Sequence, residues 1–161
     1  MRIGTIPLIK DSRGIQVCLV STTKNPALYT FPKGAMEAGE SQNDTALREL
    51  LEEAGMHGKL ISTKNSIFLP SDLDTTKDII YYFVEVTRID SMWEEKHTRK
   101  RIQVYLDELE NTPLNDKAIF VVNQLRKMGI FQTKISTKTT LKKFLKNCLP
   151  KIDRKKAGKA K

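Results

Sequence analysis

The sequence predicts a single α/β (α+β) domain in which helices pack on a β-sheet. Strand-like runs precede, separate and follow two amphipathic segments. The run Ile79–Val86 is rich in β-branched and aromatic residues, whereas apolar residues recur at helical spacing over Gln42–Ala54 and over Asn115–Met128. Because each element of this kind has one apolar face to bury, we expect a layered sandwich of helices and sheet.

The first elements predict a β-hairpin and a short third strand. Arg2–Ile9 is an apolar run, Lys10–Gly14 carries turn residues, and Ile15–Ser21 alternates between polar and apolar residues before it turns wholly apolar. After a break at Asn25-Pro26, Leu28–Phe31 has the composition of a short strand. This strand leads into a loop that begins at Pro32.

The first helix is predicted over Gln42–Ala54. Ser41 is a suitable N-cap with Asp44 three residues later, and Gly55 stands where a left-handed residue commonly ends a helix. The residues expected to face the core share one helical stripe and are Ala46, Leu47, Leu50, Leu51 and Ala54.

The second half of the chain predicts three more strands and the second helix. The strands are Lys59–Phe68, Ile79–Val86 and Arg101–Leu106, with a loop before the last of them. The helix over Asn115–Met128 is expected to face the core with Ala118, Ile119, Val122 and Leu125.

Positive charge is concentrated at the end of the chain. The thirty residues from Gln132 carry eleven Lys or Arg and one acid, whereas the other 131 residues carry seventeen basic and eighteen acidic residues. We therefore predict a domain over residues 1–131 and a basic extension over 132–161, helical at about 137–149 and then disordered. No run approaches the ~20 apolar residues of a membrane span, so we expect no membrane partner and a cytoplasmic location.

Three carboxylates gather on the first helix. Glu49, Glu52 and Glu53 stand at i, i+3 and i+4, near the negative end of the helix dipole, so they repel one another. A hard divalent cation such as Mg²⁺ or Mn²⁺ would offset that repulsion, and Arg48 is placed to pair with Glu52. A solvated acidic helix face is the alternative interpretation of these three residues alone.

The wider pattern resembles the Nudix box. Gly34, five residues, Glu40, seven residues and then Arg48–Met56 match that box position by position. The resemblance implies an α/β/α sandwich around a mixed sheet and hydrolysis of a compound that carries a diphosphate linked to a further group. It also implies metal ligation by Glu49 and Glu53, a role for Glu52 as ligand or general base, and close approach of the Gly34 backbone to the cation or the phosphate. Some Nudix enzymes draw the general base from outside the box, and Glu94 and Glu95 are the candidates for such an acid here.

Residues outside the box indicate the branch of the family. The segments Cys18–Pro26 and Val86–Arg101 are similar to those of diphosphoinositol polyphosphate phosphohydrolases, whereas Pro32-Lys33-Gly34 is closer to diadenosine tetraphosphate hydrolases. The resemblance implies a small-molecule polyphosphate substrate. Several cations must converge on such a chain, and the candidates are Arg2, Lys24, Lys33, Arg99 and Arg101.

Two other functions remain open at this stage. The first is hydrolysis of modified nucleoside triphosphates or removal of pyrophosphate from the 5′ end of RNA. The second is a non-catalytic module that binds nucleic acid through the basic extension. The intact box argues against this module, because a protein without catalytic activity does not require Arg48, Glu49, Glu52 and Glu53 together.

Overall fold

The computed structural model describes residues 1–62, 65–71, 77–132 and 141–148. Within these ranges the strands are β1 (Arg2–Lys10), β2 (Ile15–Ser21), β3 (Tyr29–Thr30), β4 (Lys33–Ala35), β5 (Met56–Leu60), β6 (Ser66–Leu69), β7 (Ile79–Ile89) and β8 (Arg101–Tyr105). The α-helices are α1 (Gln42–Ala54), α2 (Asp116–Lys127) and α3 (Leu141–Cys148). Short 3₁₀ turns lie at Glu94–His97, Leu106–Asn111 and Ile130–Gln132.

The strands form one mixed sheet. Its main order is β3-β2-β1-β7-β5, and β4, β6 and β8 pair with β1, β7 and β2 respectively. β1 and β7 run parallel, while the other pairs are antiparallel. β1 pairs with β2 only through Leu8–Lys10, and its first residues pair with β4 instead. The strand that carries Gly34 therefore lies beside the start of β1.

Helices cover both faces of the sheet. On one face Leu50 and Ala54 of α1 pack with Cys18, Val20 and Val84. On the other face α2 and α3 join the largest core cluster, whose members include Ile6, Val17, Phe83, Val121, Leu125, Leu141 and Leu145. The predicted sandwich of helices around a mixed sheet is confirmed. Among the described residues, no helix is both long and apolar enough to cross a membrane.

The first helix has the predicted limits. The Ser41 side chain accepts a hydrogen bond from the Asp44 backbone N–H at 3.2 Å, and Gly55 ends the helix with a φ of 60°. The second helix begins one residue later than predicted, because Asn115 is its N-cap, and it ends one residue earlier, at Lys127. The extension is helical from Leu141 to Cys148, while the remainder of the predicted helix and the tail beyond it lie outside the described residues.

Several local predictions are wrong. The single strand expected over Lys59–Phe68 is two strands, because β5 pairs with the end of β7 and β6 pairs with its beginning. The strand β4 was not predicted, since its three residues contain no apolar alternation. Leu51 and Ile119 were expected to face the core, yet they are 38% and 44% exposed. Both lie at the edge of their helix's apolar stripe, where sequence spacing does not decide burial.

Candidate functional site

Two carboxylates of α1 are buried against the loop that precedes the helix. Glu49 and Glu53 are 8% and 3% exposed, and both point toward β4. A Cβ atom at Gly34 would lie 1.9 Å from Oε1 of Glu49, so only glycine lets β4 approach this carboxylate. The pairing of Ile3 with Gly34 holds β4 in that place. The structure thus brings together Gly34, Glu49 and Glu53 as the sequence predicts.

Arg48 organises the exposed side of the same cluster. Its Nη1 donates to Glu49 Oε1 and to Glu52 Oε2, each at 2.9 Å, so the predicted pairing with Glu52 is present. Its Nε donates to Glu40 Oε1 at 2.8 Å, and its Nη2 donates to the Ala35 carbonyl at 2.9 Å. The Arg48 guanidinium lowers the pKa of Glu40 to about 2. A single guanidinium therefore fixes three carboxylates and the loop.

Glu53 is held from the other side. Its Oε2 accepts a hydrogen bond from the Lys33 backbone N–H at 3.0 Å, and its Oε1 lies 2.6 Å from Nη2 of Arg99. Burial raises the pKa of Glu53 to about 7, although Arg99 and Lys33 oppose the rise. Burial also raises the pKa of Glu49, against the opposing effect of Arg48. Both carboxylates therefore lack the solvation that would stabilise their charged form.

The two arginines that precede and begin β8 both reach the end of α1. Arg99 forms ion pairs with Glu53 and Glu95 and donates to the Ser21 carbonyl at 3.0 Å. Arg101 donates to the carbonyls of Ala54 and Asp90 at 2.6 and 3.0 Å. Its guanidinium carbon also lies 4.2 Å from the centre of the Trp93 ring. Arg101, predicted as a substrate-binding residue, thus caps the end of the helix in this structure.

The two acids considered outside the box differ in position. Glu95 is partly buried, is paired with Arg99, and lies within electrostatic range of Glu49 and Glu53. Glu94 is exposed in the same 3₁₀ turn. The structure therefore brings Glu95, but not Glu94, to the carboxylate cluster.

Three further cations, those of Arg2, Lys33 and Lys117, lie near this loop, and the Lys33 ammonium is within electrostatic range of Glu53. Gly4 pairs with Lys33 on one side and Tyr81 on the other, so these side chains share one face with Arg2. The Lys33 ammonium is within electrostatic range of Arg2, Arg99 and Lys117, and burial lowers its pKa to about 8. The hydroxyl of Tyr81 is buried without a hydrogen-bond partner among the described residues. Lys24 is exposed in the loop between β2 and β3.

A cavity of about 470 Å³ lies next to this group of cations. Its apolar walls include Leu69, Ile79 and Phe120, and its polar walls include Lys117 and Asn123. Ile79 is on the same face of β7 as Tyr81, and Lys117 of the first turn of α2 lines the cavity within electrostatic range of Lys33.

Comparison with known families decides which family the chain belongs to. A family model of the NUDIX domain matches residues 2–120, which include the carboxylate cluster and its loop. The chain belongs to the NUDIX domain family. The family predicted from the box is thereby confirmed.

Several relatives and solved structures are similar to this Nudix chain. Nudix hydrolase 17, mitochondrial, of Arabidopsis thaliana is 35% identical over 100 residues, which are 62% of this chain and 54% of the relative. Diphosphoinositol polyphosphate phosphohydrolase 3-beta of Bos taurus is 33% identical over 86 residues, 53% of this chain and 51% of the relative. The chain spans about half the length of the curated relatives it matches. A crystal structure of a C. elegans Ap4A hydrolase has a TM-score of 0.59 and 20% identity, and the match covers 82% of this chain and 97% of that one.

The Nudix site fits a divalent cation in its donor chemistry. Nudix hydrolases generally use divalent metal cations, and carboxylate oxygens are the ligands that hard cations prefer. The cluster places five carboxylates, those of Glu40, Glu49, Glu52, Glu53 and Glu95, among three cations, Arg48, Arg99 and Lys33. The five carboxylates outnumber these three cations, so the cluster can supply oxygen ligands to a divalent cation.

The geometry of the described residues adds one restriction. No three acidic, His or Cys side chains in the described part of the chain are already arranged as a complete metal-binding group. Arg48 holds Glu40, Glu49 and Glu52, whereas Arg99 holds Glu53 and Glu95, so the carboxylates form two separate groups. Glu49, Glu53 and Glu52 would hold the cation, with Gly34 allowing the loop backbone to approach. A bound cation would activate a water molecule and neutralise phosphate oxygens.

Sequence reasoning missed two features of this site. It did not anticipate that Arg99 pairs with Glu53, because the partners are 46 residues apart in the chain. Nor did it single out Lys117, which only the packing of α2 brings near Lys33. A lysine two residues after the N-cap of a helix carries no local signal that distinguishes it from a surface lysine.

Proposed function

We propose that this Nudix chain is a Mg²⁺- or Mn²⁺-dependent pyrophosphohydrolase that cleaves a phosphoanhydride bond in a polyphosphorylated metabolite. The observation that carries the proposal is the cluster of Glu49, Glu52 and Glu53 against Gly34, next to the cations around Lys33. Carboxylates would hold the metal, and cations would bind the phosphate chain on which it acts. Glu52 is the most exposed of the three carboxylates, which favours it as the residue that orients the attacking water.

A diadenosine polyphosphate is the first candidate substrate. The cavity beside Lys117 has apolar walls at Leu69, Ile79 and Phe120, which suit the faces of a planar base. The neighbouring cations Lys33 and Arg2 would bind the phosphates between that base and the metal.

A diphosphoinositol polyphosphate is the second candidate substrate. Its support is the 33% identity over 86 residues to a relative named diphosphoinositol polyphosphate phosphohydrolase 3-beta. This substrate has no base to place in the cavity, so its binding would depend on the metal and on cations such as Arg2, Lys33 and Lys117.

The test is analysis of the products formed by the full-length chain with Mg²⁺ or Mn²⁺. The panel contains diadenosine polyphosphates, diphosphoinositol polyphosphates, modified nucleoside triphosphates and 5′-triphosphorylated RNA, and the E52Q variant serves as the inactive control. Hydrolysis of either of the first two classes supports the proposal. Activity confined to RNA or to modified triphosphates would overturn the proposal in favour of that substrate class. Inactivity on all four substrate classes, together with salt-sensitive RNA binding, would support the non-catalytic module.

One variant distinguishes the two candidate substrates. F120L removes the aromatic ring from the cavity wall but keeps an apolar side chain of similar size. If a base occupies the cavity, KM for diadenosine polyphosphates rises while KM for diphosphoinositol polyphosphates stays the same. F68L changes an exposed phenylalanine in the same way and serves as the matched control.

A further inference from the structure

We propose that Arg99 is a positioning residue for the metal site: it holds the carboxylates of Glu53 and Glu95 in place and does not bind the substrate phosphate. This inference rests on the proposed function, because it assumes that Glu53 is a ligand of the catalytic cation. It differs from the role that resemblance to the family suggested for Arg99, which was to bind phosphate.

Every nitrogen of the Arg99 guanidinium is already engaged. Nη2 lies 2.6 Å from Glu53 Oε1, Nε contacts Glu95 Oε2, and Nη1 donates to the Ser21 carbonyl at 3.0 Å. The Arg99 side chain is only 12% exposed. To bind a phosphate, it would have to give up at least one charge-assisted hydrogen bond in a poorly solvated place.

The backbone beside Arg99 is also fixed. Ser21 and Lys100 are joined by two hydrogen bonds, one from the Ser21 N–H to the Lys100 carbonyl at 2.8 Å and one from the Lys100 N–H to Ser21 Oγ at 2.9 Å. The end of β2 therefore anchors both the main chain beside Arg99 and, through the Ser21 carbonyl, its guanidinium. Because the Arg99 side chain is held at both ends, it is better suited to orienting a metal ligand such as Glu53 than to binding a phosphate that arrives with the substrate.

Arg48 and Arg99 divide the carboxylates of the cluster between them. Arg48 pairs with Glu40, Glu49 and Glu52, whereas Arg99 pairs with Glu53 and Glu95. Each carboxylate oxygen has two lone-pair positions, so a hydrogen bond from arginine leaves Glu53 Oε1 able to accept a cation as well. The Lys33 backbone N–H fixes the other oxygen of Glu53. Without Arg99, one end of the Glu53 carboxylate would lose its restraint.

The test measures Mn²⁺ affinity in the absence of substrate, through the electron paramagnetic resonance signal of free Mn²⁺. Full-length wild-type protein is compared with R99K, R99A and E53Q. Loss of a residue that orients a metal ligand typically weakens metal binding by about 10- to 100-fold. We expect a loss of that size for both R99K and R99A, because a lysine ammonium cannot replace the three-way contacts of the guanidinium.

The control is R13K, the same substitution at an exposed arginine that pairs with Glu108 on the surface. Its Mn²⁺ affinity should equal that of the wild type, and thermal unfolding without metal checks that every variant is folded. A second measurement is KM at saturating Mn²⁺, which should stay near the wild-type value in R99K if Arg99 does not touch the substrate.

The outcomes separate this inference from the proposed function. Wild-type Mn²⁺ affinity in folded R99K, or tighter binding, would overturn the positioning role, and so would a KM that rises with phosphate number while the affinity is unchanged. Mn²⁺ binding that depends on Glu53 and Arg99 would support the inference even if no substrate in the panel were hydrolysed. A wild-type protein that binds no Mn²⁺ would overturn both.

Discussion

At the scale of single residues, the contacts of the acidic side chains separate their roles. Glu49 and Glu53 are buried beside Gly34 and Lys33, where their charge needs a counter-ion. Glu52 retains 30% exposure of its side chain and has Arg48 as its partner. The three carboxylates, equivalent in the sequence pattern, thus occupy different environments once the helix packs against the loop.

Changing Glu52 to Gln should abolish most turnover without unfolding the protein. The substitution keeps the size of the side chain but removes the charge that would bind the cation or accept a proton from water. Loss of a general base typically lowers kcat by about 10²- to 10⁴-fold. The measurement is kcat at saturating Mg²⁺ together with thermal unfolding. E110Q, which alters an exposed acid on the Leu106–Asn111 turn, is the control, and an undiminished kcat in E52Q would remove Glu52 from the reaction.

Adding a methyl group at Gly34 should disrupt the proposed metal site. The new Cβ would overlap the Glu49 carboxylate at 1.9 to 2.2 Å, so either β4 or the carboxylate must move. We expect G34A to weaken Mn²⁺ binding by at least about tenfold, by analogy with misplaced metal ligands. G14A is a matched control, because no heavy atom lies within 4 Å of a Cβ placed there. Equal Mn²⁺ affinity in G34A and the wild type would show that this close approach does not matter for the site.

The ion pair between Glu40 and Arg48 should make stability depend on pH. Folding lowers the pKa of Glu40 to about 2, with the Arg48 hydrogen bond as the main cause, from an unfolded value of about 4.3. Ionised Glu40 therefore stabilises the folded state above pH ~4.3, and this stabilisation is lost as the pH falls through about 2. The Tm difference between wild type and E40Q should thus be largest near neutral pH and shrink over this window. A Tm difference that did not change with pH would contradict the low pKa assigned to Glu40.

At the scale of elements, α1 is fixed at both ends by different means. Ser41 and Asp44 cap its start through their own side chains, as short-range sequence predicts. Its last turn carries no basic residue, and Arg101 from β8 supplies the missing cation to the Ala54 carbonyl. A Cβ at Gly55 would lie 2.6 Å from Trp93 Cβ, so the segment before β8 packs directly on the end of the helix.

Replacing Arg101 with Ala should therefore lower stability measurably. The variant loses two hydrogen bonds from a charged donor and leaves the Ala54 and Asp90 carbonyls without that partner. We expect the free energy of unfolding in urea to fall by about 2 kcal/mol. R88A, which removes a 65% exposed arginine that contacts Asp90 from the surface, should change it by less than about 1 kcal/mol. An equal decrease in the free energy of unfolding of R101A and R88A would show that the hydrogen bonds from Arg101 add no more stability than a surface contact.

At the scale of the whole molecule, the basic extension is also part of the core. Leu141 and Leu145 of α3 are 3% and 1% exposed and belong to the same cluster as Val121 and Leu125 of α2. Lys142 and Lys146 of the same helix are exposed. The extension thus contributes apolar surface to the domain while it presents its charge to solvent.

This arrangement predicts that L145A destabilises the protein although it lies in the Lys-rich segment. Removing a buried leucine typically costs about 2–5 kcal/mol, which should appear in the free energy of unfolding measured with urea. K146A, one residue further along the exposed side, should change it by no more than about 0.5 kcal/mol. Equal stability of L145A and the wild type would mean that α3 is not packed on the domain.

Local patterns in the sequence were sufficient for the parts of this Nudix protein that depend on neighbours along the chain. The limits of α1, its caps at Ser41 and Gly55, and the spacing of Glu49, Glu52 and Glu53 follow from helical geometry and could be predicted. So could the class of fold, because amphipathic helices and apolar strands leave few ways to bury their faces. The family could be identified from the box for the same reason, since its residues lie within a single loop and helix.

Only the tertiary structure decided which side chains meet across the fold. Arg99 and Glu53 are distant in sequence, and their ion pair exists because the end of β2 anchors the chain before β8 beside α1. The burial of Leu145 and the exposure of Leu51 likewise depend on which surfaces the sheet and its neighbours cover. Periodicity assigns a residue to a face of its own element, but burial, charge pairing and pKa depend on what packs against that face.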